Sequence, residues 1–304
     1  MIRVLVTDGM DKKAVSKLQD LGYEVIQEFY EPDALAEKVK DVDVLVVRSA
    51  TKVREPIIDA ACESGRLKLI IRGGIGVDNI DVDYARSKGI EVCNTPTASV
   101  HSVAELAIGH MFALSRFIGI SNVTMREGKW EKKAYKGVEI TGKTLGIVGW
   151  GSIGRETARI ARALGMHVIY YSASGKTSDE ADFESVKSLD ELLSRADIVS
   201  LHRAVKKGEP ALVTKEFLEK MKPTAFLINT ARGALIDEEA LADALENGTI
   251  QGAALDVYQE EPAKSERLLN SPKVSLTPHI GGSTKEAQAR IGEEIVAHIL
   301  RVFG

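Results

Sequence analysis

The sequence predicts an α/β protein made of two parallel-sheet domains, and three observations predict it. Short β-branched apolar runs alternate with amphipathic helical runs along most of the chain. The glycines of Gly149-x-Gly151-x-x-Gly154 stand between one such strand and one such helix. The length of 304 residues is enough for two domains, each burying its own core.

The elements follow in order. Val4–Val6, Glu24–Phe29, Val42–Arg48 and Leu67–Ile71 read as strands. Helical spacing lies between them at Lys12–Leu21, Ala34–Lys40 and Pro56–Ala61. Such alternation predicts a parallel sheet covered on both faces. From Val100 to about Met125 runs a mostly apolar segment carrying Glu105 and His110, expected to be one long helix bridging two lobes. Leu145–Val148 is an apolar strand, Ile153, Thr157, Ile160, Ala161 and Leu164 recur at helical spacing, and His167–Tyr171 is a second strand. Ile198–Leu201 and Ala225–Thr230 read as strands around a Lys215–Met221 helix. Asp237–Glu246 is a helix stopped by Asn247-Gly248. Gly252–Val257 and Val274–Thr277 are short strands, and Ser283-Thr-Lys-Glu286 reads as a capping box for the last helix.

This order predicts a dinucleotide-binding domain over residues 99–280, inserted into a domain made of residues 1–98 and 281–304. The last helix is expected to cross back to the first domain, and two crossings make a hinged cleft. One continuous doubly wound domain is the alternative, which the length disfavours.

In the inserted domain each glycine has a task. Gly149 permits the tight turn, Gly151 lets the backbone approach a pyrophosphate, and Gly154 lets the helix pack against the strand. The free N–H groups of Ser152, Ile153 and Gly154 then face an anion. The second strand of a NAD site usually ends in Asp or Glu, bonded to the ribose. Here that place holds Ser172. A neutral hydroxyl cannot repel a 2′-phosphate, and Lys176 can attract one, so NADP use stays open beside NAD.

Net charge is −4, with no basic surplus to suggest nucleic acid. Cys62 and Cys93 lack metal or redox spacing and read as reduced thiols; no metal is expected. Met1-Ile-Arg-Val-Leu-Val runs straight into a strand, so neither a secretory signal nor a membrane span is expected, and a cytoplasmic location is.

Three polar groups follow predicted strands, where ligands of open α/β sheets collect. Arg232 follows Asn229-Thr230-Ala231, Glu261 follows Asp256-Val-Tyr-Gln-Glu, and His279 follows Thr277-Pro278. Singly, each is more often a surface ion-pair residue, a solvated acid or a loop histidine. Together they fit hydride transfer from a hydroxy acid. Histidine takes the hydroxyl proton, a carboxylate beside it supports the charge, and arginine grips the substrate carboxylate. Asp256 is placed to orient a nicotinamide carboxamide.

On these residues the chain resembles the D-isomer-specific 2-hydroxyacid dehydrogenases from first strand to last helix. The motifs are Gly149-Trp-Gly-Ser-Ile-Gly154-Arg155, Asn229-Thr-Ala-Arg232-Gly233, Asp256-Val-Tyr-Gln-Glu-Glu261-Pro262 and Pro278-His279-Ile-Gly-Gly282. The resemblance implies two Rossmann-like domains, the outer one flavodoxin-like. It also implies catalytic roles for Arg232, Glu261 and His279. Coenzyme contacts are implied at Gly149, Gly151, Ser152, Ile153, Gly154, Ser172, His202, Thr230, Ala231, Asp256 and Gly282.

Within the family the chain looks most like the branch that oxidises 3-phospho-D-glycerate towards serine. The supporting stretches are Val47-Arg48-Ser49-Ala50-Thr51-Lys52, Ile71-Arg72-Gly73-Gly74-Ile75-Gly76, Gly128-Lys-Trp-Glu-Lys132-Lys133 and Ser283-Thr-Lys-Glu-Ala-Gln288. Arg48, Ser49 and Arg72 then face the phosphate, with structural salt bridges as the plainer reading of the two arginines. Gly73, Gly74, Ile75 and Gly76 offer N–H groups to the carboxylate. Lys132 and Lys133 lend charge to a neighbouring subunit or simply face solvent.

Two departures bear on the coenzyme: Ser172, and Leu201-His202-Arg203-Ala204, where relatives have Pro at the place of Ala204. Arg203 can assist a 2′-phosphate. The last residue, Gly304, implies that the serine-sensing regulatory domain of longer relatives is missing. Unphosphorylated glyoxylate or hydroxypyruvate reduction is the first rival reading. A coenzyme-binding corepressor that engages peptides is the second. The family also implies a homodimer through the dinucleotide domain, supported here only by the apolar Ala107–Leu114 stretch, which equally suits a core helix.

Overall fold

The structure is a computed structural model describing residues 1–175, 177, 182–205 and 208–304. The chain divides into two compact units, Met1–Ser99 with Gly282–Gly304, and Val100–Gly281.

The first unit alternates strands and helices: β1 (Arg3–Val6), α1 (Lys12–Asp20), β2 (Glu24–Gln27), α2 (Pro32–Lys38), β3 (Val44–Val47), α3 (Glu55–Ser64), β4 (Leu69–Arg72), α4 (Val82–Ser87) and β5 (Glu91–Asn94). All pairings are parallel, in the order β2-β1-β3-β4-β5, a flavodoxin-like order. Alternate residues serve opposite faces. Val4, Val6, Leu69 and Ile71 pack with Ile291, Ile295 and Ile299 of the C-terminal helix, while Leu5, Leu45 and Ile70 pack with Ile57 and Ile58 of α3. With both faces buried, the strands are continuous apolar runs.

The second unit opens with α5 (Val100–Ser115) and α6 (Ile118–Arg126). One long helix was expected over this stretch, but the two meet at a bend of 62°. Phe117 at the break has a left-handed φ of 57°. The Val138 N–H donates to the Ser115 carbonyl at 2.9 Å, and a Cβ at Gly137 would stand 2.3 Å from that oxygen. The incoming 137–138 backbone therefore takes over the carbonyl that a further helical turn would have used. Ala107, Met111 and Leu114 of α5 are core residues. No single described helix is long and apolar enough to cross a membrane; the bent pair passes such a test only jointly, and much of α5 is buried.

A seven-stranded parallel sheet follows. Its elements are β6 (Thr144–Val148), α7 (Ser152–Ala163), β7 (His167–Tyr171), β8 (Phe183–Ser185), α8 (Leu189–Arg195), β9 (Ile198–Leu201), α9 (Lys215–Glu219), β10 (Phe226–Asn229), α10 (Glu238–Glu246), β11 (Gly252–Leu255), α11 (Glu266–Leu269) and β12 (Val274–Leu276). The strand order is β12-β11-β10-β9-β6-β7-β8, which reverses at β6, the Rossmann arrangement with one strand added.

The last helix, α12 (Lys285–Phe303), belongs to the first unit. Its cap differs from the expected Ser283–Glu286 box. Thr284 is the N-cap, and its side chain accepts from the Ala287 N–H at 3.1 Å. The helix begins one residue later than the sequence pattern suggests, so Glu286 falls outside the position that closes a box.

Candidate active site

The glycine turn joins β6 to α7. Gly149 has φ +107°, and a Cβ there would lie 2.6 Å from the His202 carbonyl oxygen, so both conformation and space demand glycine. At Gly154 a Cβ would meet the Gly149 oxygen at 2.3 Å, which brings the first turn of α7 hard against the end of β6. At Gly151 a Cβ would meet nothing within 4 Å. The helix start thus opens onto free space, with Ser152, Ile153 and Gly154 in a first turn that carries no acidic residue. Trp150 stacks on Tyr170 of β7 at 3.8 Å between ring centres and seats the turn in the core.

A nicotinamide dinucleotide fits these residues by its chemistry. The helix start and its glycines suit a pyrophosphate. The Thr230 hydroxyl, buried at the end of β10 beside Ala231, has no hydrogen-bond partner among the described residues. Ser172, just after β7, has its hydroxyl 3.2 Å from that of Ser174. Lys176 lies outside the described residues. Arg203 is engaged in an ion pair with Glu209.

His202 follows β9, and its Nε2 lies 2.8 Å from the Ser200 hydroxyl. Burial pushes its imidazole down to about 3. The unfolded chain therefore takes up a proton near 6.5 that the folded protein refuses until about 3. Stability should fall as pH drops through that window, by at most about 1.4 kcal/mol per pH unit from this group. Melting temperatures measured between about pH 7 and pH 5 should decline less steeply for His202→Gln than for the wild type.

Arg232, Glu261 and His279 come together at the ends of three neighbouring strands, β10, β11 and β12. Asn229, fully buried, brackets the turn after β10. Its amide donates to the Arg232 carbonyl at 2.8 Å, and its side-chain oxygen accepts from the Ala231 N–H at 3.0 Å. A Cβ on Gly233 would overlap the Tyr258 carbonyl group at 1.9 Å. Glycine at that place lets the β10 and β11 loops touch, which brings Arg232 to Glu261. Tyr258 straps the next pair of strands: its hydroxyl sits 3.1 Å from the Leu255 carbonyl and 2.9 Å from that of Thr277. Burial, aided by the Asp256 charge, pushes that phenol up to about 12, so it stays a donor.

His279 Nδ1 is 2.8 Å from Glu261 Oε2. Since a carboxylate only accepts, Nδ1 carries the proton and Nε2 is left as the basic nitrogen. The Glu261 carboxyl is partly buried, which opposes its charge. The bonds from His279 and the Tyr258 N–H, together with the nearby Arg232, more than offset this and hold it below the usual carboxylate range. His279 itself has φ +51°, a left-handed conformation uncommon for a residue with a side chain. It is kept there by Asp256, 1% exposed, which accepts from the N–H groups of Ile280 at 2.8 Å and Gly281 at 2.9 Å.

In the other unit, Arg48 and Arg72 stand at the ends of the paired strands β3 and β4. Asp8 fixes the loop after β3, accepting from the Arg48 N–H at 2.7 Å and the Thr51 N–H at 3.0 Å. Ser49 in that loop is exposed. Burial lowers the Arg48 guanidinium from its ordinary value against the pull of Asp8. Arg72 folds over the 73–76 loop so closely that a Cβ on Gly74 would overlap its Nη1. Of the four N–H groups expected to face a carboxylate, those of Gly73 and Gly74 instead donate to the Val47 and Arg72 carbonyls, each at 2.8 Å, because the chain is still turning out of β4; Ile75 and Gly76 are left. Gly73 packs against Ile291 of α12, and the Ile75 carbonyl accepts from Asn94. Gly282 belongs to this unit, its carbonyl taking a bond from Gln288 at 2.8 Å. Lys132 and Lys133 are exposed.

The family model described as D-isomer specific 2-hydroxyacid dehydrogenase, NAD binding domain, matches residues 108–281. The chain belongs to the D-isomer-specific 2-hydroxyacid dehydrogenase family. That places it among the NAD(P)-dependent oxidoreductases acting on the CH–OH group of 2-hydroxy acids. It is 47% identical to a hydroxypyruvate reductase of Thermotoga maritima, over 99% of this chain and 98% of that one. It is 42% identical to a D-3-phosphoglycerate dehydrogenase of Methanocaldococcus jannaschii, but spans only 58% of that protein's length. A solved NADPH-dependent glyoxylate/hydroxypyruvate reductase of Sinorhizobium meliloti, in complex with NADP and malonate, superposes with a TM-score of 0.87 at 28% identity. That match covers all of this chain and 94% of the other.

Sequence reasoning about this dehydrogenase missed Tyr258 as a strap and the contacts of His110 with the Ser275 and Thr277 hydroxyls, both at 3.0 Å. Tyr258 was visible only as part of a motif. The available signal for His110 was a polar residue among the apolar positions of α5.

Proposed function

We propose that this dehydrogenase interconverts 3-phospho-D-glycerate and 3-phosphohydroxypyruvate. The observation that carries the reading is the His279–Glu261 hydrogen bond beside Arg232, on the sheet that bears the glycine turn. In the oxidising direction His279 Nε2 takes the proton of the C2 hydroxyl. Glu261 stabilises the imidazolium so formed. Arg232 grips the carboxylate and draws charge from the forming carbonyl, and the Ile75 and Gly76 N–H groups are assigned to the same carboxylate. When bound, the nicotinamide coenzyme accepts the hydride from C2. Arg48 and Arg72 are assigned the phosphate, which suits two guanidinium groups at adjacent strand ends.

Hydroxypyruvate is the second reading, favoured by the Thermotoga maritima reductase, which matches along almost its whole length. Reduction rates on hydroxypyruvate and 3-phosphohydroxypyruvate separate the two. On the phosphate reading, Arg48→Ala lowers kcat/KM for the phosphorylated acid by about tenfold to a hundredfold and leaves the unphosphorylated acid nearly unchanged. Equal treatment of both acids by both proteins rejects the phosphate assignment.

The remaining assignments are a place in serine synthesis, a cytoplasmic location and pairing of two copies through the 100–281 unit. The last is supported by the exposed apolar side chains Ile118, Val123 and Met125 on α6 and Trp130 beyond it.

A further inference from the structure

His110 lies far along α5, is 3% exposed and uses both ring nitrogens. Nδ1 is 3.0 Å from the Ser275 hydroxyl, and Nε2 is 3.0 Å from the Thr277 hydroxyl. The Thr277 hydroxyl in turn donates to Asp256 Oδ1 at 2.6 Å. A hydroxyl has one proton, and here it goes to a carboxylate, which can only accept. Thr277 must therefore accept from His110, so Nε2 carries the hydrogen and Nδ1 accepts from Ser275. The order of protons along the chain of bonds is fixed from one end to the other. Burial also lowers the His110 imidazole from its ordinary value, although Asp256 pulls the other way, which keeps the ring neutral.

The end of this chain matters for the reaction. Asp256 holds the N–H groups of Ile280 and Gly281, the two residues after His279, whose own backbone sits in a left-handed conformation. Held on one side by Glu261, His279 keeps its position only if the backbone behind it stays in place. We propose that His110 is a positioning residue for proton transfer: through Thr277 and Asp256 it fixes the backbone that carries His279. Buried polar networks of this kind specify one arrangement when every member is satisfied. The inference rests on the reading of His279 as the proton acceptor.

The test uses the full-length protein with its coenzyme and whichever acid the wild type turns over. His110→Leu and Thr277→Val are each expected to lower kcat by about tenfold or more, with KM changed by less than about twofold. The double variant should be no worse than either single one, because both cut the same chain of bonds. His110→Gln, whose amide offers an N–H at a similar reach, should restore most of kcat. A purely structural role predicts a lowered melting temperature with kcat per folded molecule unchanged, and no difference in kcat between Gln and Leu. That outcome overturns the proposal, as does additivity of the two substitutions. If His110→Leu fails to fold, Thr277→Val against Thr277→Ser decides by the same criterion. His279→Asn run alongside separates the two claims. Collapse of turnover there, with His110→Leu and Thr277→Val at wild-type kcat, rejects only the role of His110. Full turnover by His279→Asn rejects the reading beneath it.

Discussion

Replacing His279 by Asn should cut turnover by about 10²–10⁴-fold, the usual contribution of acid–base catalysis. Coenzyme binding should stay nearly intact. The reason lies in what the substitution removes and what it keeps. Asparagine can still donate towards Glu261, and among side chains it is one of those that best tolerate a left-handed φ. The loop held by Asp256 should therefore keep its shape. What disappears is Nε2, the only atom of the pair free to take a proton. Coenzyme dissociation constants from fluorescence titration, beside steady-state kcat, check this; near wild-type turnover would remove His279 from the chemistry.

Arg232→Lys should lower kcat/KM by about 10²-fold, although charge is conserved. A guanidinium offers two parallel donors to a carboxylate, whereas an ammonium acts as a point charge. The backbone around residue 232 is set by the buried Asn229 and by the approach of Gly233 to Tyr258, neither of which depends on the arginine side chain. The loss should therefore appear in kinetics and not in melting temperature. An enzyme with unchanged kcat/KM would show that Arg232 serves as a surface ion-pair residue.

The catalytic candidates were legible because they share a topological position. Each closes a strand of the parallel sheet that also bears the glycine turn, whose steric requirements few residue types meet. The strands buried on both faces were legible for the same kind of reason: continuous runs such as Val44–Val47 have no polar side to confuse the pattern. Edges were harder. β5 reads Glu-Val-Cys-Asn and β8 only Phe-Glu-Ser, too short and polar to stand out, yet each adds an edge strand. The break at Phe117 was invisible because its cause, the backbone at Gly137 and Val138, lies well beyond the helix in sequence. The shift of the α12 cap by one residue reflects a choice between adjacent Ser283 and Thr284, which local pattern does not make. His110 was noticed in its helix, but its partners, Ser275 in β12 and Thr277 just after it, lie more than half the chain away, and only the fold unites them.

The most direct measurement is kcat for hydroxy-acid oxidation, compared between wild type and Glu261→Gln, with coenzyme affinity measured alongside. Glu261 accepts from His279 Nδ1 at 2.8 Å, which turns Nε2 out as the basic nitrogen and places a negative charge beside the ring that takes the proton. Glutamine keeps the shape and loses the charge, so kcat should fall by about tenfold or more with coenzyme affinity nearly unchanged. Wild-type kcat in Glu261→Gln would contradict a paired imidazole and carboxylate working as one proton acceptor.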